Sequence, residues 1–118
     1  MHRIVLLAAL AAALVVVVPV HATAPPVGPL PKGPVTTIST AKGSLVSIAL
    51  PSRAGKSWRL ARGVNSKVLV EVTEANVGSN IVVIYRATGR GSAKVAYGLT
   101  RGETAKAYAS ATFNVRVS

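Results

Sequence analysis

The feature of this sequence that most limits its fold is a series of short segments rich in Val, Ile and aromatic residues, which begins at residue 35. Mostly glycine-containing turns separate these segments at a spacing typical of β-sandwiches and barrels. No stretch has the length and periodicity of a convincing amphipathic helix. The sequence therefore predicts an all-β domain of seven strands, at residues 35–40, 45–50, 57–61, 67–73, 80–87, 91–98 and 111–118.

Side-chain alternation predicts which strands have one wet face. In the fourth strand Val68, Val70 and Val72 alternate with polar residues and with Leu69, and in the last strand Phe113, Val115 and Val117 do the same. The run 81–85 is apolar on both faces, which is typical of a central strand covered by the core on one side and by a loop or partner on the other. Residues 104–111 form either a loop or a brief helical turn, since alanine permits both.

The N-terminus has the pattern of a secretory signal peptide. A charged start is followed by an apolar run over residues 4–18, and small residues allow cleavage after Ala22 or Ala24, of which Ala22 avoids a following proline. The alternative is an uncleaved anchor, although the run falls short of the roughly 20 residues that span a bilayer. We expect a signal peptide at 1–22, an extended Pro/Gly-rich linker at 23–34 and one domain at 35–118, with a periplasmic or secreted location and no membrane span after cleavage.

The composition points to a binding protein with an acidic partner. The chain contains no cysteine, so disulfides cannot stabilise it, and its formal net charge of +11 becomes +10 when Arg3 leaves with the leader. A field of this sign favours acidic proteins or anionic polymers. We do not expect nucleic acid to bind, because the few aromatic residues are better placed in the core: Trp58, Tyr85, Tyr97 and Phe113. Tyr108, in the long last loop, is the aromatic residue most suited to a binding surface.

The residue types that catalysis requires are missing, so we expect no enzyme activity. The only histidines are His2 and His21, both in the leader, and the chain has no Asp. A nucleophilic triad therefore lacks its base. The three acids are dispersed, with Glu71 and Glu74 predicted on opposite faces and Glu103 in a loop. This arrangement predicts neither a catalytic carboxyl pair nor a metal or cofactor site.

Successive predicted strands run in opposite directions, so the loops between them alternate between the two ends of the sandwich. One end receives the short turns at 41–44, 62–66 and 88–90, and the other receives the longer loops at 51–56, 74–79 and 99–110. Binding residues concentrate on loops held by a rigid scaffold. The end with the longer loops is therefore the candidate recognition surface.

The order of these elements resembles the chagasin-like family of cysteine protease inhibitors, over roughly residues 43–118. The resemblance rests on GSLVSIALP at 43–51, GKSW at 55–58, GSAKVAY at 91–97 and FNVRV at 113–117. It implies a seven-stranded, immunoglobulin-like β-sandwich that blocks papain-type proteases with three loops at one end.

The inhibitory loops differ from the family pattern. The first loop reads PSRAG at 51–55 where the family has Asn-Pro-Thr-Thr-Gly, the second reads NVGSN at 76–80, and the third has RGE at 101–103 where the family has Arg-Pro-Trp. The matching positions are the expected partner-binding residues: Arg53, Ala54, Gly55, Lys56, Gly78, Ser79, Arg101 and Gly102. The resemblance implies an inhibitor of papain-type proteases or a relative directed at another acidic protein. The alternative is a basic structural or adhesive envelope domain that holds an anionic polymer.

Overall fold

A computed structural model describes residues 25–118, and the predicted signal peptide lies outside the described residues. Within 25–118 the chain forms seven strands and no helix. The strands are β1 (Val35–Thr40), β2 (Leu45–Pro51), β3 (Ser57–Leu60), β4 (Leu69–Val77), β5 (Asn80–Ala87), β6 (Gly91–Thr100) and β7 (Ala109–Val117). None of the described residues belongs to a helix long and apolar enough to cross a membrane.

The strands form two sheets, which confirms the predicted immunoglobulin-like sandwich. The four-stranded sheet has the order β1-β7-β6-β3, and the three-stranded sheet has the order β2-β5-β4. β1 pairs with β7 in parallel, and the other pairings are antiparallel. All seven predicted strands are present, with β1 and β5 at their predicted limits. Residues 104–108 form an irregular loop and no helical turn, and residues 109–111 belong to β7.

The core lies between the sheets and is built from alternate residues of each strand. β2 buries Val46, Ile48 and Leu50 while the residues between them are exposed. β7 buries Val115 and Val117 and packs Phe113 against them, as its alternation predicted. The aromatic residues assigned to the core also pack there: Tyr85 and Tyr97 are fully buried, and Trp58 and Phe113 are partly buried against the cluster.

The predicted faces of β4 are wrong. Leu69 is buried, whereas Val70 and Val72 are 43% and 49% exposed. The strand begins only at Leu69, because Val68 belongs to a turn in which its amide donates to the carbonyl of Asn65. A β-bulge between Glu71 and Thr73 then shifts the register. A simple period of two therefore fails along this edge strand.

The bulge also corrects the prediction for the two glutamates of β4. Glu71 pairs with Tyr85 and Glu74 pairs with Val83, two positions further along β5. Tyr85 and Val83 face the same way, so both carboxylates lie on one face of β4 rather than on opposite faces.

The outer face of the three-stranded sheet is unusually apolar. Val82 and Ile84 of β5 point outward there and remain partly exposed. Val82 stands in register between Ala49 and Ala75, and Leu45 at one corner of this face is also exposed. β5 is therefore a central strand that is apolar on both faces. One face packs in the core, and the other lies at the partly exposed outer surface beside apolar residues of β2 and β4.

Residues 25–34 form no helix or strand, yet they lie against the domain. Directly before β1 the segment runs beside β7. There the carbonyl of Pro34 accepts from the amide of Thr112, and the carbonyl of Pro31 accepts from Ser110 Oγ at 2.6 Å. The segment also crosses the outer face of the four-stranded sheet above Gly98. This cover explains why β6 is buried on both faces from Val95 to Thr100.

Candidate functional site

Three loops meet at one end of the sandwich. The first loop (52–56) follows β2, the second (78–79) follows β4, and the third (101–108) follows β6. β2 and β4 run in the same direction, since both pair antiparallel with β5. Contacts of Lys56 and Arg101 with Tyr108 place the loop after β6 at the same end. We call this surface the three-loop end.

The first loop contacts the second through the backbone. The amide of Ser52 donates to the carbonyl of Ser79 at 2.9 Å. Within the first loop the amide of Lys56 donates to the carbonyl of Arg53, which closes a turn, and Trp58 Nε1 donates to the carbonyl of Pro51 at 2.9 Å. Arg53 and Ala54 are exposed at the tip of this turn.

The first loop reaches the third through Tyr108. Three cations lie over its ring: Lys56 Nζ at 5.2 Å from the centroid, Arg101 Cζ at 5.4 Å and Lys106 Nζ at 5.0 Å. These distances are within the range of cation–π attraction. The ring is 41% exposed, so this cationic cluster lies at the surface and presents positive charge to a partner.

Three glycines of the expected site have the backbone conformation that makes the loops possible. Gly55, Gly78 and Gly102 have φ values of 73°, 61° and 54°, in the left-handed region. A Cβ at any of the three would meet no heavy atom within 4 Å, so the requirement is conformational rather than steric. Each loop therefore contains one glycine that sets its turn.

The third loop is ordered by contacts of its own. Thr104 caps a turn by donating from both its amide and its hydroxyl to the carbonyl of Arg101. Thr100 Oγ1 donates to the carbonyl of Gly102 at 2.6 Å, and the amide of Tyr108 donates to the carbonyl of Leu99 at 2.7 Å. These bonds fix where the loop leaves β6 and where it returns toward β7.

The structure thus places all eight expected partner-binding residues in the three loops. Lys56 and Arg101 come together at Tyr108, whereas Arg53 extends on the exposed tip of the first loop. Lys106 and Tyr108 were not in the expected partner-binding set, although Tyr108 was predicted to be the aromatic residue most suited to a binding surface. Arg59, described below, was also missed: it lies in the middle of β3, where alternation gives no sign of its long-range contacts.

A buried tyrosine pair joins the two sheets. Tyr85 Oη of β5 and Tyr97 Oη of β6 are 2.7 Å apart. Burial raises the pKa of both phenols, and the negative charges of Glu71 and Glu74 raise each pKa further. Among the described residues, no group of three or more His, Cys, Asp or Glu side chains is arranged to hold a metal ion.

The fold is shared with solved structures, among them a cysteine protease inhibitor. The cysteine protease inhibitor EhICP2 from Entamoeba histolytica matches with a TM-score of 0.56 and 13% identity, over 75% of this chain and 99% of its own. PbICP-C, solved in complex with falcipain-2, matches with a TM-score of 0.57 and 12% identity, over 80% and 95%. Amebosin matches with a TM-score of 0.50 and 20% identity, over 75% and 100%.

At these identities the similarity is one of fold, and it confirms the scaffold that the chagasin-like resemblance implied. No protein family profile matches the chain, and no curated protein sequence matches it.

Proposed function

We propose that this protein is an inhibitor of papain-type cysteine proteases that binds through the three-loop end. The observation that carries the proposal is the convergence of the three loops on a scaffold shared with a cysteine protease inhibitor. PbICP-C, which has the same fold, is seen bound to falcipain-2, and this supports a protease as the partner here.

The chemistry of the loops supports a steric rather than a covalent mode of action. In the proposed complex the exposed tip of the first loop, with Arg53 and Ala54, enters or borders the active-site cleft. The second loop supports that tip through the Ser52–Ser79 bond. Because both loops are closed by hydrogen bonds before binding, little conformational entropy is lost when they dock.

The cationic cluster supports an acidic surface on the partner. Lys56, Arg101 and Lys106 surround one ring, so their charges repel each other and their field extends outward from the three-loop end. A carboxylate on the partner would relieve this repulsion and would speed the encounter. The cluster takes the place of the aromatic wedge that the family pattern has in the third loop.

The test is a titration of a papain-type protease with the purified protein, reading residual activity at low and moderate salt. Wild-type protein should inhibit, and the double variant R53E/K56E should weaken inhibition by about tenfold or more without lowering thermal stability. The matched control is K42E/R90E, which makes the same charge change in exposed turns at the opposite end. No inhibition by the wild type at high micromolar concentration would refute the proposal.

A second candidate function is the binding of an anionic envelope polymer. Basic side chains are not confined to the three-loop end, since Lys94 and Arg116 line a shallow groove on β6 and β7 together with Ser92 and Asn114. Binding through distributed charge should be lost as ionic strength rises, whereas loops docked in a cleft should lose association rate and keep their buried contacts.

We also propose that the chain is exported and cleaved after Ala22, so that it meets its partner in the periplasm or outside the cell. The intact mass of protein recovered from the exported fraction should correspond to residues 23–118. A mass that includes residues 1–22 would favour the anchor instead.

A further inference from the structure

Arg59 occupies a position where three separate parts of the molecule meet. It lies in β3 opposite Gly98 of β6, on the outer face of the four-stranded sheet. Its Nη1 donates to the carbonyl of Pro25 at 3.0 Å, and its Nη2 donates to the carbonyl of Thr104 in the third loop at 2.6 Å. Its Nε donates to Thr100 Oγ1 at 3.1 Å. One guanidinium thus joins the N-terminal segment, β6 and the third loop.

The Arg59 contact continues into the loop through Thr100. The hydroxyl that accepts from Arg59 itself donates to the carbonyl of Gly102, the glycine that turns the third loop. Thr100 is completely buried, so the hydroxyl at the centre of this relay is shielded from water. The guanidinium therefore holds the third loop at two places: at Gly102, near its start, through Thr100, and at Thr104, in its middle, directly.

The N-terminal segment contacts the same loop independently. The amide of Gly28 donates to the carbonyl of Ala105 at 2.7 Å. Val27 and Leu30 pack over Gly98, where a Cβ would lie 2.6 Å from Val27 Cγ1 and 3.0 Å from Leu30 Cδ2. Gly98 thus leaves the space that lets the segment cross the sheet.

We propose that Arg59 and residues 25–34 act together as a brace that holds the third loop in its binding conformation. Arg59 is a positioning residue: it acts on the partner through Gly102 and Thr104 rather than by direct contact. Arg59 binds the carbonyl of Thr104 and the amide of Gly28 binds the carbonyl of Ala105, so without the brace the third loop would lose hydrogen bonds at two points and sample other conformations. This role deepens the proposed function and rests on it for the consequence in binding.

The test compares R59Q with R62Q by amide hydrogen exchange in the purified, isotope-labelled protein. Both changes remove one arginine charge, but Arg62 is exposed in the turn after β3 at the opposite end. R59Q should speed exchange at the amides of Thr104 and Tyr108 by about tenfold or more, while amides of β2 and β5 keep their wild-type rates. R62Q should change neither group.

A second variant tests the brace without touching Arg59. V27A/L30A removes the apolar contacts over Gly98 and should speed exchange at Thr104 and Tyr108 as well. If R59Q behaves like R62Q, or if it speeds exchange equally in β2 and β5, the brace is refuted, because the effect is then absent or merely global.

The binding consequence is measured separately against the papain-type protease. R59Q should raise the inhibition constant by about tenfold, and R62Q should leave it unchanged. If R59Q loosens the third loop and inhibition stays at the wild-type level, the brace does not serve binding and that part of the inference is wrong. If wild-type protein does not inhibit at all, the proposed function fails, and the exchange data still decide whether the brace exists.

Discussion

The buried tyrosine pair gives a prediction whose size follows from the structure. Tyr85 and Tyr97 are 1% and 4% exposed, they belong to different sheets, and their hydroxyl oxygens are 2.7 Å apart. The change Y97F removes one hydroxyl and keeps the ring, so packing is preserved while the hydroxyl of Tyr85 loses its partner in the core. An unpaired buried hydroxyl costs about 1–3 kcal/mol, and Y85F should cost a similar amount for the same reason.

The double variant Y85F/Y97F should be more stable than the sum of the single changes predicts. It leaves no unpaired hydroxyl, so its cost should be small, and the coupling energy should be about 1 kcal/mol or more. In a domain of this size a loss of 1 kcal/mol lowers the melting temperature by about 4–8 °C. The four proteins are to be compared by urea unfolding near pH 7. Additivity within about 0.5 kcal/mol would refute the reasoning.

The same pair makes stability depend on alkaline pH. Folding raises the pKa of both phenols above the value of about 10 for an unfolded tyrosine. Above pH 10 the unfolded chain therefore releases protons that the folded protein retains. Stability is fully present below about pH 10 and should fall above it by up to about 1.4 kcal/mol per pH unit for each tyrosine. Urea midpoints between pH 8 and 11 should fall less steeply for Y85F/Y97F, and equal slopes would contradict this account. Y108F, which changes an exposed ring, is the control.

Two further predictions concern turns. G89A should destabilise the domain by about 1–3 kcal/mol, because the added Cβ would overlap the carbonyl oxygen of Lys67. The control is G63A, where the added Cβ would meet nothing within 4 Å. In thermal melts G63A should change stability by less than about 1 kcal/mol. W58F removes the indole donor to the carbonyl of Pro51 and should cost about 1 kcal/mol in urea unfolding; an unchanged midpoint would show that the bond is replaced by solvent.

Much of the fold could be predicted from the sequence, because strand alternation and glycine turns are local signals. β2 and β7 follow the simple pattern, in which every second side chain enters the core. β4 could not be predicted in this way, since a bulge is a property of the pairing between two strands and leaves no mark in one strand alone. The shared face of the two glutamates follows from that bulge, whereas Val70 is exposed because Leu69, before it, enters the core.

The candidate site was predictable in its loops and not in its contacts. Alternating strand direction was enough to place the three loops at one end. The contact of Lys56 with Tyr108 and the bonds from Arg59 to Pro25 and Thr104 join residues 34 to 52 positions apart, so no local pattern reports them. Residues 23–34 were expected to be an extended linker on their proline and glycine content, and composition alone does not show which surface an extended segment contacts.

The parallel pairing of the first and last strands has a consequence for the order of folding. β1 aligns Val35 with Thr112 and Thr40 with Val117, so its partner is the last of the seven described strands. Contacts between such distant residues form late, because a long stretch of chain must first be brought together. During synthesis β1 and the segment before it must therefore wait until β7 has emerged. The third loop, which lies directly before β7, is then the last of the three loops to reach its final shape.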